Sequence, residues 1–430
     1  MKIEELYRLF LNCKNVATDS RIVKNGALFF ALKGENFDGN KYAESALTNG
    51  CSYAIIDNKE YKKDNRYILV DNVLISLQQL GNYHRKKLNI PILAITGSNG
   101  KTTTKELIAS VLVKKYTIAY TQGNLNNHIG VPLTLLSMNP SAEIGIVEMG
   151  ANHLSEIEQL CEIAEPDYGL ITNIGKAHLE GFGSFENIIK AKTELYHYLS
   201  SNSGKIFYNS QNEILTDTIQ KLEVDTISYN SKEAKVKGKL QKSDQFLSVN
   251  AEIDNLAFNI QTKLVGNYNL ENVLAAVCIG NYFDVSTKQI KIAIEEYEPK
   301  NNRSQFIKTT RNNLYLDAYN ANPTSVELSL KNFVSLGKEN SAVILGDMLE
   351  LGKSAKIEHE KIIQLLQENS FNKVILVGSV YRTLQVPEDF LQFKDVIELK
   401  VWLKKNKIEH SNVLIKGSRG IRLETIVENL

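Results

Sequence analysis

The stretch "AITGSNGKTTTKELIASVL", Ala94 to Leu112, decides how the rest of this 430-residue chain is read. The apolar run "ILAIT" is a buried-strand pattern, and "TTKELIASVLVKKY" sets Leu107, Ile108, Val111 and Leu112 at helical spacing. Gly97, Ser98, Asn99, Gly100, Lys101 and Thr102 therefore sit on a strand-to-helix turn. There, glycines let backbone N–H groups converge on an anion, and the helix N-terminus adds its dipole. The usual phosphate loop, G-x-x-x-x-G-K-[ST], would put its first glycine where this chain has Ile95; the glycine is Gly97, two positions late. On such a loop Lys101 neutralises β/γ-phosphate charge, and Thr102 or Thr103 offers a hydroxyl to Mg2+. The expectation is an ATP site on a shortened loop.

Outward from the loop, "EIGIVEMG" and "YGLITNIG" continue an alternation of buried strands with helices, which predicts a mostly parallel sheet wrapped by helices. The polar passage "SYNSKEAKVKGKLQKSDQFLSVNAEIDNLAFNIQ" reads as antiparallel strands attached to it. "NYNLENVLAAVCIGNYF" reads as a helix with Leu270, Leu274, Val277 and Cys278 on one side. "EEYEPKNNRSQ" is a linker near 299. After it, "NNLYLDAYN", "SAVILGDM", "NKVILVGS" and "SNVLIKGS" are four buried-strand candidates of a second α/β sheet. Before the loop, "GALFFALKG", "CSYAIIDN" and "RYILVDN" describe a small α/β unit. The reading is an α/β chain of three domains: residues 1–88, 89–298 and 299–430.

Bulk composition narrows the function classes. Fifty basic against 49 acidic residues, a net charge of +1, argue against a nucleic-acid partner. No apolar run approaches the roughly 20 residues that span a bilayer, and "MKIEELYRLFLNCKN" lacks a signal-peptide pattern. Cys13, Cys51, Cys161 and Cys278 show no C-x-x-C spacing and fit reduced thiols. A cytoplasmic protein is expected, and nothing in the chain demands more than a monomer.

Several polar residues stand out from the pattern alone. Glu148 closes a buried strand, where a carboxylate needs a partner and Mg2+ beside phosphates would be one. His178 falls at the same sheet edge, although a lone histidine is more often structural than a ligand. Asn126 and Asn127 read equally as turn asparagines before a helix, and Asn269 and Asn272 as a helix cap and an exposed polar residue. Lys190, Lys192, Glu194 and His197 punctuate a helix as a solvated face would. Arg303 lies in the linker and Asp317 at a strand end; Asn320, Asn322 and Pro323 form a turn into a helix capped by Thr324 or Ser325. Asp347, Glu350 and Lys416 fit a polar loop over a sheet edge, and Asp19-Ser20-Arg21 a simple turn.

"TGSNGKTTT" resembles the short loop T-G-[ST]-x-G-K-[ST] of the Mur ligase family, the ATP-dependent amide-forming enzymes of peptidoglycan synthesis. Further matches follow in order over essentially the whole chain. The resemblance implies three domains: a uridine-nucleotide-binding module, a P-loop ATPase-like centre and a Rossmann-like C-terminal domain. It implies ATP contacts from Gly97 to Thr103 and from Asn269, Asn272, Arg303 and Asp317. It places Ser20, Arg21, Asn126 and Asn127 on a UDP-linked substrate, and Glu148 and His178 on Mg2+ with Thr102. It makes Lys192 a carbamylated lysine that helps position a second Mg2+; with Lys101, Glu148 and His178 it forms the implied catalytic set. "DAYNANP" (Asp317 to Pro323) resembles the members that add D-alanyl-D-alanine to UDP-N-acetylmuramoyl-tripeptide, as do "VILGDMLELG" with His359 and "LIKGSRGIRLE". Other members carry D-Y-A-H-[TH]-P or D-G-A-H-N-P at the first of these sites, and the D-N-P-R motif of the diaminopimelate-adding member is absent. Asn320, Asn322, Asp347, Glu350 and Lys416 then fall on the dipeptide side.

Overall fold

The computed structural model describes residues 1–242, 245–300 and 302–430, so Ser243 and Asp244 of the polar passage and Asn301 of the linker lie outside the described residues. The loop strand Ile92–Thr96 stands inside a six-stranded, all-parallel sheet. Strand order across that sheet is 225–229, 205–209, 168–171, 92–96, 144–148, 118–120. Because strand residues alternate faces, Leu93 and Ile95 enter one core with Leu107, Ile108, Val111 and Leu112 of the loop helix. Ile92 and Ala94 enter a second core with Ile188 and Leu195 on the opposite face. Both faces being covered explains why the strand is apolar without alternation.

The polar passage forms the expected antiparallel strands, Val236–Gln241, Ser248–Ile253 and Leu256–Gln261. They pack with Val273, Leu274 and Val277 in the same core as the loop helix. The helix Leu270–Tyr282 is thereby enclosed from both sides. Asn272 through Gly280 are all buried, which corrects the one-sided expectation.

The C-terminal sheet contains the four expected strands, 313–317, 341–346, 373–377 and 412–416, mutually parallel, plus two short edge strands, 305–308 and 391–393. The edge strand Gln305–Lys308 runs antiparallel. In the N-terminal region four short strands (15–17, 27–30, 53–56, 67–69) pair in parallel. Its long helix Val73–Leu88 locks that sheet to the centre: the buried Arg85 donates to Ala164 O at 3.0 Å and Asp167 Oδ2 at 2.9 Å. Among the described residues no helix is long and apolar enough to cross a membrane.

Candidate functional site

Gly97 (φ +140°) and Gly100 (φ +78°) take conformations that L side chains resist. A Cβ at Gly97 would collide with Thr172 Oγ1, and one at Gly100 would meet Asn272 Oδ1 at 2.7 Å. The loop is held from the neighbouring strand end: Ser98 N–H donates to Asn173 O (2.9 Å), Asn99 N–H to Asn173 Oδ1 (3.0 Å), and Thr172 Oγ1 to Asn99 O (2.6 Å). From behind, Thr104 Oγ1 donates to Asn272 Oδ1 (2.9 Å), Asn272 Nδ2 to Asn269 Oδ1 (2.8 Å), and Asn269 Nδ2 to Val265 O (2.8 Å). Asn269 thus stands at a helix N-cap position without capping it, and Asn272 is buried rather than exposed. The two asparagines brace the loop.

Glu148 is buried and pairs in register with Ile95, which brings its carboxylate to the carboxyl edge beside the loop. Its Oε1 accepts from Asn126 Nδ2 (2.8 Å) and Thr102 Oγ1 (3.2 Å); Oε2 has no hydrogen-bond partner among the described residues. Lys105 was invisible to sequence reading, since "KTTTKE" gives no sign that its second lysine is fully buried. Its Nζ donates to Thr121 O (2.6 Å) and stands 3.8 Å from Glu148 Oε2. Lys101 Nζ donates to Gly97 O (2.6 Å). Burial pulls its pKa below the ordinary lysine value, Arg303 adds to the pull, and Glu148 opposes it.

Lys192 overturns the solvated-face reading of its helix, Phe185–Ser201: it is 1% exposed, with Nζ 3.2 Å from Ala151 O and 5.3 Å from the Phe182 ring centroid. Burial, reinforced by Lys101, pulls its pKa well down. His178 sits at φ +52° and places Nδ1 2.5 Å from Glu350 Oε2, an ion-pair contact rather than an aligned hydrogen bond. The imidazole holds the Glu350 carboxyl below its usual range. Among the described residues no group of three or more His, Cys, Asp or Glu is placed to hold a metal. The expected metal set contains only two such residues, Glu148 and His178.

The C-terminal sheet meets this edge. Asp317 and Lys416 end adjacent strands in register and pair at 2.6 Å, with Ser329 Oγ also donating to Asp317 (3.2 Å). The Arg303 guanidinium lies 3.6 Å from the Tyr319 ring centroid, and Arg419 approaches the same ring at 5.3 Å. Arg419 belongs to the "KGSR" stretch, which could have pointed to it. The helix Pro323–Ser335 is capped by Asn322, not by Thr324 or Ser325: Asn322 Oδ1 accepts from Ser325 N–H (2.9 Å). Thr324 Oγ1 instead accepts from Lys176 N–H (3.1 Å) across the two sheets.

Between the sheets lies a cavity of about 800 Å3 lined by residues 98–103, Asn126, Asn127, Glu148, His178, Asn269, Asn272, Arg303, Asp317, Asn320, Asn322, Glu350 and Lys416. Asn99 Nδ2, Glu148 Oε2 and Arg303 Nε are buried atoms without hydrogen-bond partners among the described residues. All three belong to lining residues. Asn127 also lines it but uses its oxygen on Ile129 N–H (3.2 Å) and Gly130 N–H (2.9 Å), at the start of a helix.

Five residues expected in the site do not line the cavity: Gly97 and Lys192, which are buried, and Ser20, Arg21 and Asp347. Arg21 is exposed and paired with Asp19 at 2.7 Å. Asp347 is a correction. It is fully buried, and its carboxylate caps the short helix Ser379–Arg382, accepting from Val380 N–H (2.8 Å) and Tyr381 N–H (3.0 Å). His359 beside it is neutral: Nε2 accepts from Met348 N–H (3.0 Å), and Nδ1 is left to donate to Ala355 O (2.7 Å). Asp347→Ala strands one buried and one half-buried N–H group and should lower unfolding free energy by about 2–4 kcal/mol. Denaturant unfolding checks this, with activity per folded molecule unchanged; lost activity at unchanged stability would return Asp347 to substrate binding.

Comparison with known proteins adds three matches to family models. Residues 12–92 match the Mur ligase family catalytic domain, 95–280 the Mur ligase middle domain, and 302–419 the Mur ligase glutamate ligase domain. The chain is 32% identical to UDP-N-acetylmuramoyl-tripeptide–D-alanyl-D-alanine ligase of Bacillus subtilis, over 96% of this chain and 92% of that one. It is 30% identical to the Escherichia coli enzyme of the same name, over 96% and 93%. A crystal structure of MurF from Acinetobacter baumannii superposes with a TM-score of 0.88 at 28% identity, covering 100% and 98%. MurF from Thermotoga maritima, solved with ADP, shares the fold with a TM-score of 0.86 at 23% identity, covering 98% and 97%.

Proposed function

The chain belongs to the Mur ligase family, and from that premise we propose that it joins D-alanyl-D-alanine to UDP-N-acetylmuramoyl-tripeptide with hydrolysis of ATP. The observation that carries the reading is the cavity itself, a phosphate loop facing a C-terminal sheet edge with unpartnered polar atoms from both sides. The "DAYNANP" turn and the curated relatives supply the choice of dipeptide.

The chemistry follows in two transfers. A carboxylate oxygen of the tripeptide attacks the γ-phosphorus, the bond to the β-phosphate oxygen breaks, and ADP leaves. The dipeptide amine then attacks the acyl carbon, the tetrahedral intermediate expels inorganic phosphate, and the amine proton is lost. No covalent enzyme nucleophile is needed, so rate enhancement rests on positioning and charge. Lys101 and Arg303 supply positive charge at the loop, and the glycine-shaped backbone supplies N–H donors. Glu148 Oε2, which takes no hydrogen bond and stands 3.8 Å from Lys105 Nζ, and the Thr102 hydroxyl are oxygen donors suited to Mg2+. When bound, the ion would neutralise phosphate charge. The depressed pKa of Lys192 favours the neutral amine, the form that adds CO2 as a carbamate. Ser20 and Arg21 serve the uridine end of a long substrate, away from the cavity. Asp317 serves the ATP side, and Lys416, which pairs with it, shapes the dipeptide side with Asn320.

Contacts across the cavity (Asn322 with Asn99, Thr324 with Lys176, His178 with Glu350) describe a docked arrangement that keeps water from an acyl phosphate. We assign the protein to the cytoplasm as a monomer. A coupled ADP-release assay with each substrate omitted in turn tests the activity. Sustained ADP release should require tripeptide, ATP and D-Ala-D-Ala together. Robust turnover with L-lysine or diaminopimelate alone in place of the dipeptide would overturn the assignment.

A further inference from the structure

Asn99 occupies the variable position of the phosphate loop, and its side chain has a direction imposed from another domain. Asn322 Oδ1 is committed to the Ser325 N–H, so Nδ2 is the atom that Asn322 presents outward. That Nδ2 donates to Asn99 Oδ1 at 2.8 Å. A flipped Asn99 carboxamide would set two NH2 groups against each other, so Asn99 has only one satisfactory orientation. It leaves Asn99 Nδ2 buried with no partner among the described residues. The backbone cannot relieve this, because Asn99 N–H and C=O are both held by the strand end at Thr172 and Asn173. Asn99, Asn322, Lys101 and Arg303 line the same cavity.

We propose that Asn99 Nδ2 is a nucleotide phosphate donor set by domain docking, with Asn322 as the positioning residue that turns it toward the phosphate. A phosphate oxygen only accepts hydrogen bonds, so the orphaned NH2 is its complement, and a loop lysine and the half-buried Arg303 share the same wall. With the C-terminal domain undocked, Asn322 is gone and the Asn99 carboxamide rotates freely. Phosphate recognition is therefore completed only once the two domains meet. The proposal rests on the reading of this loop as the ATP site.

The test uses Asn99→Ala, Asn322→Ser and the double variant in the full-length protein. Serine keeps the helix cap but is too short to reach Asn99. Each single variant should weaken ADP binding by calorimetry, and raise KM for ATP, by about tenfold, with an unchanged unfolding midpoint. The double variant should be no worse than Asn99→Ala, because Asn322 acts on the phosphate only through Asn99. Wild-type affinity in Asn99→Ala, or additive losses in the double variant, would overturn the inference. If wild-type protein binds no ADP at all, it is the ATP-site reading that fails. Should Asn322→Ser unfold, Asn99→Ala still decides, since it removes the donor without touching the cap.

Discussion

Lys101→Ala should lose at least about 10³-fold in turnover while its unfolding midpoint stays at or slightly above that of the wild type. The two halves of this expectation have one origin. Lys101 holds a cation that burial and Arg303 disfavour and Glu148 favours, the balance lying on the side of burial, and its hydrogen bond to Gly97 O returns little of that cost. The folded chain therefore gains nothing by keeping this charge, whereas a transferring phosphoryl group needs it. Removing it takes away an interaction made chiefly in the transition state, so kcat should fall more than ADP affinity. Steady-state kinetics, ADP calorimetry and denaturant unfolding on one preparation check all three parts. Activity within tenfold of wild type would refute the phosphate-loop assignment.

What the sequence revealed, and what it hid, follows from range. Gly97 to Thr102 could be read because its signals are local, a strand before, a helix after, and glycines where positive φ is needed, whereas the groups that hold the loop, Thr172, Asn173 and Asn272, lie 73 to 168 residues away. The parallel sheets were legible for the same reason, as each buried strand carries its own apolar run. Asp347 was misread because an acid in a polar signature looks like a substrate group; the N–H groups it caps lie 33 and 34 residues further on. Asn99 and Asn322 meet across 223 residues, a pairing that no local pattern encodes. The burial of Lys105 comes from Thr121 and Glu148, both on other strands or strand ends. The helix Leu270–Tyr282 looked one-sided because the sheet that covers its second face is built from lysine-rich, polar segments.

Lys192 provides the sharper separation of function from fold. A lysine at 1% exposure, with one carbonyl as its hydrogen-bond partner among the described residues and with burial and Lys101 opposed by Glu156 and Glu194, destabilises the folded state as a cation because burial dominates. Lys192→Met keeps the stem volume and deletes the amine. It should raise unfolding free energy near neutral pH by about 1–3 kcal/mol and lower turnover by about 10²–10³-fold. The pH dependence has a fixed sign. Because the folded-state pKa lies below that of the unfolded chain, the unfolded chain binds more protons between the two values, and wild-type stability rises with pH across that window. The Met variant should lack this slope, so its advantage shrinks as pH rises. Labelled CO2 should give a carbamate signal in wild-type protein and none in Lys192→Met, and Lys192→Ala should regain some activity with small carboxylates. A packing residue would behave oppositely, losing stability and activity together. Greater stability with lost turnover is the signature of a group kept for chemistry at the expense of the fold.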